Sequence, residues 1–325
     1  MNKQKRNRIT TYVISALSAA LLATNVNAET RLAFGATNAQ SAHYAYFASI
    51  KKIVENQYDD YKVSVIETGA TVDNLRRMAR NQLDIGLITS NVLYKAYNGE
   101  DSFKRPIKSQ LLWTYNPAPQ NIIIRQDCNV GSISELNDVR LGPGMRGSAT
   151  EATTLAVMET LNVSPEWVRG SNGELANGIK DNRLCGMVKS SVGSRFDALT
   201  TDVGTFTPLS AIGLNDKEVE LVAKNHPEVA IVDMPGDKLV NRGPYKTWGF
   251  VIGVSASPKL DEKTAYDIVK AVMEDEIEQV TAFPAVEGEN LIEQTLKYAT
   301  SPLHPGAVKY FQEQGYTVPD HLIEG

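Results

Sequence analysis

Short apolar runs of strand character alternate with longer stretches of helical pattern along the first third of the chain. "RLAFG" (31–35) precedes "HYAYFASIKKIVEN", "YKVSVIE" (61–67) precedes "TVDNLRRMARNQ", and "DIGLITS" (84–90) precedes "NVLYKAYNG". This β-α-β-α-β rhythm predicts a mostly parallel sheet with helices on both faces. In such sheets ligands bind beyond the carboxyl ends of the strands, where the next helices begin. The loops of interest are therefore 35–43, 67–72 and 89–92.

A second unit follows two longer runs, "SQLLWTYN" (109–116) and "QNIIIRQ" (120–126). Between them "NPAP" is a Pro-rich break, expected to be a crossing strand or hinge. The second unit is predicted to contain a strand at "VRLG" (139–142), a helix over 148–161, the helix "GELANGIKDN" and a strand at "LCGMVKS" (184–190). Strands "FTPLSA" and "EVAIVDM" come next. The apolar half of "NRGPYKTWGFVIGVSA" (241–256) reads as a strand returning to the first unit. Helices are predicted at 261–280, 288–299 and 305–314. Two α/β units joined by two crossings imply two lobes with a cleft between them. The expected boundaries are 29–115 plus 245–325 for lobe I and 116–244 for lobe II.

The amino terminus changes the picture. Lys3, Lys5, Arg6 and Arg8 precede the apolar run "YVISALSAALLA", which ends in "TNVNA" with small residues at Val26 and Ala28. A basic segment, an apolar segment of about a dozen residues and an A-x-A-like site describe a secretory signal peptide, with cleavage expected after Ala28. The run is shorter than the roughly 20 residues a membrane span needs, although an uncleaved interfacial anchor is the alternative. Without the signal the chain keeps 29 Lys and Arg against 38 Asp and Glu, a formal charge of −9. Such an acidic exported chain has no electrostatic reason to bind nucleic acid or an anionic membrane. Its expected location is the periplasm, where Cys128 and Cys185 form a disulfide or remain two isolated buried thiols. His43, His226, His304 and His321 are scattered, so no metal site is expected.

"RLGPGMRGSATEATTLAVMETL" (140–161) contains a G-x-G-x-x-G at Gly142, Gly144 and Gly147. A dinucleotide site needs an acidic residue ending a second strand about 20 positions on, and neither Glu159 nor Glu166 clearly does so. No cofactor is expected. A glycine turn opening a helix still points free N–H groups at one spot and favours an anion there. Ser148 and Thr150 add hydroxyls. Arg146, a cation at a helix N-terminus, either faces an anionic ligand or pairs with a nearby acid. The first unit carries similar turns, with Thr37, Asn38, Gln40 and Ser41, then Thr68 and Thr71 (a candidate N-cap), then Thr89, Ser90 and Asn91. Ordinary capping explains any one of them. A shared ligand explains several at strand carboxyl ends, with Ser190 and Ser191 near the same cleft. Tyr44, Tyr115 and Trp248 either shape that pocket or pack in the core. No G-x-S-x-G or H-E-x-x-H is present, and no enzyme is expected.

The block "TGATVDNLRRMARNQLDIGLITSNVLYKAYNG" (68–99), with "GSATEATTLAVMETLNV" (147–163) and "SPLHPGAVKYFQEQGY" (301–316), resembles the TAXI family of TRAP-transporter solute receptors over essentially the whole mature chain. The resemblance implies a type II periplasmic binding-protein fold, two α/β lobes that close on a ligand and then dock on a membrane permease driven by an ion gradient. It implies small carboxylates or amino acids, such as 2-oxoglutarate and glutamate, as ligand class, and His304–Ala307 as a structural segment packing the last helix. "GATNAQSA" replaces the family's glycine- and threonine-rich first loop, and Met145-Arg146 replaces a small residue and a proline. The reading is thus a monomeric receptor for a small anionic solute, bound by Thr37, Asn38, Ser41, Thr68, Ser90, Asn91, Arg146, Gly147, Ser148, Thr150, Ser190 and Ser191, and delivered to a TRAP permease. A binding protein of an ABC importer or a sensor is the alternative in the same class, and a periplasmic α/β enzyme the alternative in another.

Overall fold

The computed structural model describes residues 29–323 apart from Asn38, Gln40 and Gly147. The expected signal segment, 1–28, lies outside the described residues. The chain opens with β1 (Thr30–Gly35), α1 (Ala42–Gln57), β2 (Tyr61–Ile66), α2 (Thr71–Ala79), β3 (Ile85–Thr89) and α3 (Ser90–Asn98). Strand β1 pairs in parallel with both β2 and β3, so Gly35 lies opposite Ile66 and Gly86. The three carboxyl ends therefore open on one side, as the β-α alternation predicts.

Strand β4 (Gln110–Arg125) then leaves the first half. It leads to β5 (Arg140–Gly142), α4 (Ala149–Thr160), β6 (Glu166–Trp167), α5 (Asn172–Lys180) and β7 (Gly186–Ser190). Next come α6 (Ala198–Phe206), β8 (Leu209–Ile212), α7 (Asp216–Asn225) and β9 (Ala230–Met234). Strand β10 (Tyr245–Ala256) returns, and α8 (Glu262–Met273), α9 (Glu278–Ala282), α10 (Leu291–Tyr298) and α11 (Pro305–Glu313) finish the chain. The strand order is β2-β1-β3-β10-β4-β7-β5-β6, with β8 on β4 and β9 on β10. β10 runs antiparallel to β3 and β4.

Apolar burial divides the chain. One core gathers Phe34, Tyr46, Leu75, Ile85, Trp113, Val254, Ile268 and Phe311. On the far side of the crossings, Ile122, Val157, Val188, Ile212 and Trp248 form a second cluster, and Ile123, Leu175, Met187 and Tyr245 a third. Among the described residues, only β4 and β10 belong to both halves. Their apolar positions change cores between Tyr115 and Ile122 and between Trp248 and Val254.

Several boundaries differ from the sequence expectation for identifiable reasons. "NPAP" does not break the strand: Pro117 and Ala118 stay in register with Val251 and Phe250. Proline lacks an N–H but keeps its carbonyl. Pro117 and Pro119 use theirs to accept the N–H groups of Gly193 and Ser191 (2.9 and 3.0 Å). The helix expected over 261–280 is two, because Asp275 accepts the N–H groups of Glu278 and Gln279 (3.3 and 2.9 Å) and starts α9. "FTPLSA" contributes strand only from Leu209, since Phe206 closes α6, whose N-cap is Asp197. At the C-terminal signature His304 caps α11, with Nδ1 accepting the N–H of Gly306 (3.2 Å) and Nε2 lying 3.0 Å from the Leu260 carbonyl.

Cys128 and Cys185 are bonded, with Cα atoms 5.9 Å apart. They sit at adjacent ends of β4 and β7, where Ile124 lies opposite Gly186. The bond closes a segment with a sequence separation of 57, for which chain entropy gives a stabilisation of about 4 kcal/mol. The double variant Cys128→Ser/Cys185→Ser is expected to lose that amount in urea denaturation followed by circular dichroism. An unchanged midpoint would show that the second half does not depend on the cross-link.

Candidate functional site

Side chains brace the carboxyl ends of the first three strands into one surface. Asn74 on α2 is fully buried. Its Nδ2 lies 3.3, 2.9 and 2.9 Å from the carbonyls of Gly35, Ala36 and Leu87. Position 35 has no room for a side chain, because a Cβ there would lie 2.6 Å from Asn74 Oδ1. Thr68 Oγ1 donates to the Ala36 carbonyl (2.9 Å) and accepts the Ala70 N–H (3.2 Å). Glu67 accepts the Ala39 N–H (3.1 Å). Thr71, expected as an N-cap, is instead the first helical residue. Ala70 occupies the cap position at φ 64° without a side-chain bond, which leaves Thr71 Oγ1 free to accept the Thr89 N–H (3.1 Å).

The candidate residues of this half separate into two groups. Ser41 caps α1 by accepting the His43 N–H (3.2 Å), and Thr68 is held as above. Ser90, buried at the start of α3, accepts the Val251 N–H of β10 (3.0 Å). These hydroxyls hold backbone. Thr37 is half-buried and Asn91 buried, and Asn91 Oδ1 has no hydrogen-bond partner among the described residues. Asn38 lies outside the described residues.

In the second half the glycine motif packs a loop on a helix. A Cβ on Gly142 would meet Leu175 and Met187, 2.9 and 3.2 Å away. Gly144 has φ 116°, and a Cβ there would lie 2.7 Å from Thr150 Cγ2 and 2.9 Å from Glu151 N at the first turn of α4. Gly147 lies outside the described residues. Ser148 is the N-cap of α4, accepting the Glu151 N–H (3.1 Å). Arg146 donates its N–H to the Gly170 carbonyl (2.9 Å). Its side chain is exposed and makes no ion pair among the described residues. The carboxylate of Glu151 is met by Arg169 instead (3.2 Å), a residue that carried no sequence signal. Thr150 is buried and Ser190 half-buried. Ser191 Oγ accepts from Asn121 Nδ2 (2.6 Å), whose Oδ1 in turn accepts from the Tyr245 hydroxyl.

Both halves hold buried polar atoms without partners among the described residues. Besides Asn91 Oδ1, they include Gln120 Oε1 on β4, Thr154 Oγ1 on α4 and Trp248 Nε1 on β10, with Asn74 Oδ1, Gln294 Nε2 and Ser301 Oγ in the first half. Continuing the register of Phe250 with Ala118 sets Trp248 opposite Gln120, and Thr247 Oγ1 bonds the Gln120 carbonyl. Trp248 packs in the same cluster as Val157 and Met158 of α4. Asn91 follows Ser90, which is bonded to β10. Buried polar groups normally find partners, so each of these atoms stands out from the rest of the interior. Gln120 and Thr154 were missed from the sequence. The available signal was the amide pair Gln120-Asn121 inside an otherwise apolar crossing strand.

An aromatic group closes the α1 end. Tyr115 stacks on Tyr46 (centroids 4.0 Å apart), and Phe283 meets both. Tyr115 is thus core, and its hydroxyl lies 3.0 Å from His43 Nδ1. Burial raises the Tyr115 pKa well above the usual value, so the phenol stays protonated beside Nδ1. Burial lowers the His43 pKa to about 4. The site therefore offers hydroxyls, carboxamides, an imidazole N–H and a free guanidinium. Among the described residues no group of three or more metal-ligating side chains occurs.

Residues 34–315 match the model of the NMT1-like family. The structure is similar to a TctC solute binding protein from Polaromonas, crystallised without ligand, at a TM-score of 0.57 and 12% identity over 83% of this chain and 90% of that one. The match shows the fold: the mixed α/β, two-lobed architecture of type II periplasmic binding proteins. Weaker likenesses include the probable amino-acid ABC transporter extracellular-binding protein ytmK from Bacillus subtilis (TM-score 0.46, 16% identity, 79% of this chain and 95% of that one). The alkanesulfonate-binding protein SsuA from Xanthomonas axonopodis pv. citri, bound to MOPS, is similar at a TM-score of 0.41 and 13% identity over 91% and 96%.

His43 makes the fold sensitive to acid. The folded chain favours the neutral ring, so the unfolded chain binds the additional proton between pH 6.5 and about 4. This contribution is complete above pH 6.5 and falls by about 3 kcal/mol as pH drops through that window. His43→Gln is expected to flatten the pH dependence of the urea midpoint there, relative to the unaltered protein. Equal slopes in the two proteins would place the imidazole in water.

Proposed function

Because the chain belongs to the NMT1-like family, we propose that it is an extracytoplasmic solute receptor of a transporter, binding a small organic anion between its lobes and delivering it to a membrane permease. The observation that carries this reading is that buried polar atoms without partners among the described residues occur in both halves and on both crossing strands, Asn91 Oδ1, Gln120 Oε1 and Trp248 Nε1 among them. A site shared between two bodies couples occupancy to closure, because solute that touches both favours their approach. We take those bodies to be 29–115 plus 245–325 and 116–244.

The anionic character of the solute follows from the donors on offer. Arg146 has no side-chain partner among the described residues, and Thr37 and the N-termini of α1 and α4 supply further donors. The finer assignment is to TAXI-type receptors of TRAP transporters, resting on the 68–99 block and the L-H-P-G-A ending. With it go export to the periplasm after cleavage at Ala28, a monomeric state, an ion-gradient-driven permease as partner, and no catalysis. The formal charge of −9 on the mature chain supports the absence of nucleic acid among its partners.

The test is a thermal-shift screen of residues 29–325, purified unfolded and refolded so that no carried-over solute remains. Small carboxylates, 2-oxo acids, amino acids and sulfonates form the panel, with NAD as control. A true solute at a hundred times its Kd stabilises the fold by about 2.7 kcal/mol. The shift should appear with anions and shrink in Arg146→Ala. A response to NAD alone, or to no anion at all, would sink the reading.

A further inference from the structure

A cavity of about 550 Å³ lies in the first half, where α8, α9, α10 and α11 meet. No residue of the crossing strands or of the second half lines it. Its walls are apolar, with Val272, Leu291 and Ile292 drawn from the first core. Tyr310 of α11 also lines it. That side chain is 3% exposed and packs on Tyr266, ring centroids 5.8 Å apart. Its hydroxyl bonds to no atom among the described residues, although buried polar groups normally find partners. Two carboxylates complete the lining, Asp275 and Glu289, and no Lys, Arg or His does. From Glu274 to Glu293 the chain carries seven acids and no Lys or Arg. Among the described residues only Glu274 and Glu278 of these meet a lysine, so the field around the cavity is negative. Burial and the carboxylates of Glu274 and Glu313 push the Tyr310 pKa up to about 12, which keeps the hydroxyl neutral, with a lone pair to offer.

We propose that this cavity is a second binding site, for a small organic cation: a primary ammonium or a guanidinium carried on an aliphatic body. The volume falls within the range of small-molecule sites, and apolar walls with a few polar groups are their usual lining. The aliphatic body covers Val272, Leu291 and Ile292, removing apolar surface from water. The charged head pairs with Asp275 and Glu289, and its N–H groups have the Tyr310 oxygen as a further acceptor. Asp275 already accepts two backbone N–H groups at the start of α9, and a carboxylate has lone pairs left for a cation. An anion placed here meets two carboxylates and no cation. An alcohol reaches the hydroxyl and gains nothing from the charge. The site goes beyond the receptor reading and does not depend on it, because it lies within one half and fills without the halves approaching each other.

Three probes of one length separate the possibilities. Ligand-observed NMR titration of the refolded mature chain at fixed ionic strength would compare hexylamine with hexanol and hexanoate. Hexylamine is expected to saturate with a Kd of about 1 mM or tighter, within reach of so small a molecule. It should bind at least about tenfold more tightly than hexanoate, which both carboxylates repel, and about threefold more tightly than hexanol. Tyr310→Phe keeps the ring on Tyr266 and removes only the unbonded hydroxyl, and should weaken hexylamine about fivefold. Glu289→Gln alters an exposed side chain and should weaken hexylamine while leaving hexanol unchanged. Hexanol or hexanoate binding as tightly as hexylamine, no saturation by hexylamine, or unchanged hexylamine affinity in both variants would overturn the inference. None of these outcomes touches the response to anions on which the receptor reading is tested.

Discussion

Two neighbouring antiparallel strands must each belong to two hydrophobic cores, and the rest of the molecule is arranged around that constraint. Among the described residues, β4 and β10 are the elements whose apolar residues enter both halves. Between those contributions each strand has a short stretch, 116–121 and 249–253, where it serves neither core fully. Polar residues are tolerated there because partners are within reach. Asn121 finds Tyr245 and Ser191, and Thr247 finds the Gln120 carbonyl.

The braced loops of the first half serve the same arrangement. Asn74 reaches three carbonyls across two strand ends, and Thr71 and Thr68 join the next loops to them. A surface fixed in this way does not have to be ordered by the molecule it binds, which lowers the entropic cost of binding. In the second half Gly144 lets a loop lie directly on the first turn of α4. The dinucleotide-like spacing arises from packing of this kind, with the same backbone geometry and a different purpose.

Most of the architecture was legible because alternating strand and helix patterns are a strong local signal. The first six elements follow "RLAFG" to "NVLYKAYNG" almost residue for residue. Helix starts were less legible: one aspartate at 275 divides a continuous helical pattern, and a positive φ at Ala70 moves a cap away from Thr71. The site was legible only at its rim. Loop residues such as Thr37, Ser41 and Ser148 advertise themselves by composition, yet Ser41 and Ser148 hold backbone. Gln120 lies in a mostly buried strand and Thr154 on a helix face, and a sequence does not show which of their atoms lack partners. His43 was one of four scattered histidines until the Tyr115 hydroxyl was found beside it.

The position of Trp248 makes the molecule its own optical probe. Of the three tryptophans, Trp113 is buried with its indole N–H on the Tyr46 hydroxyl (3.1 Å), and Trp167 lies half-buried on β6 away from the crossings. Trp248 alone of the three is fully buried with an N–H that has no partner among the described residues, on the crossing strand where it enters the second core. The emission colour of an indole depends on the polarity and hydrogen bonding around it. Light from the interior of the fold therefore carries a component set at the point where the two lobes meet, without any dye attached.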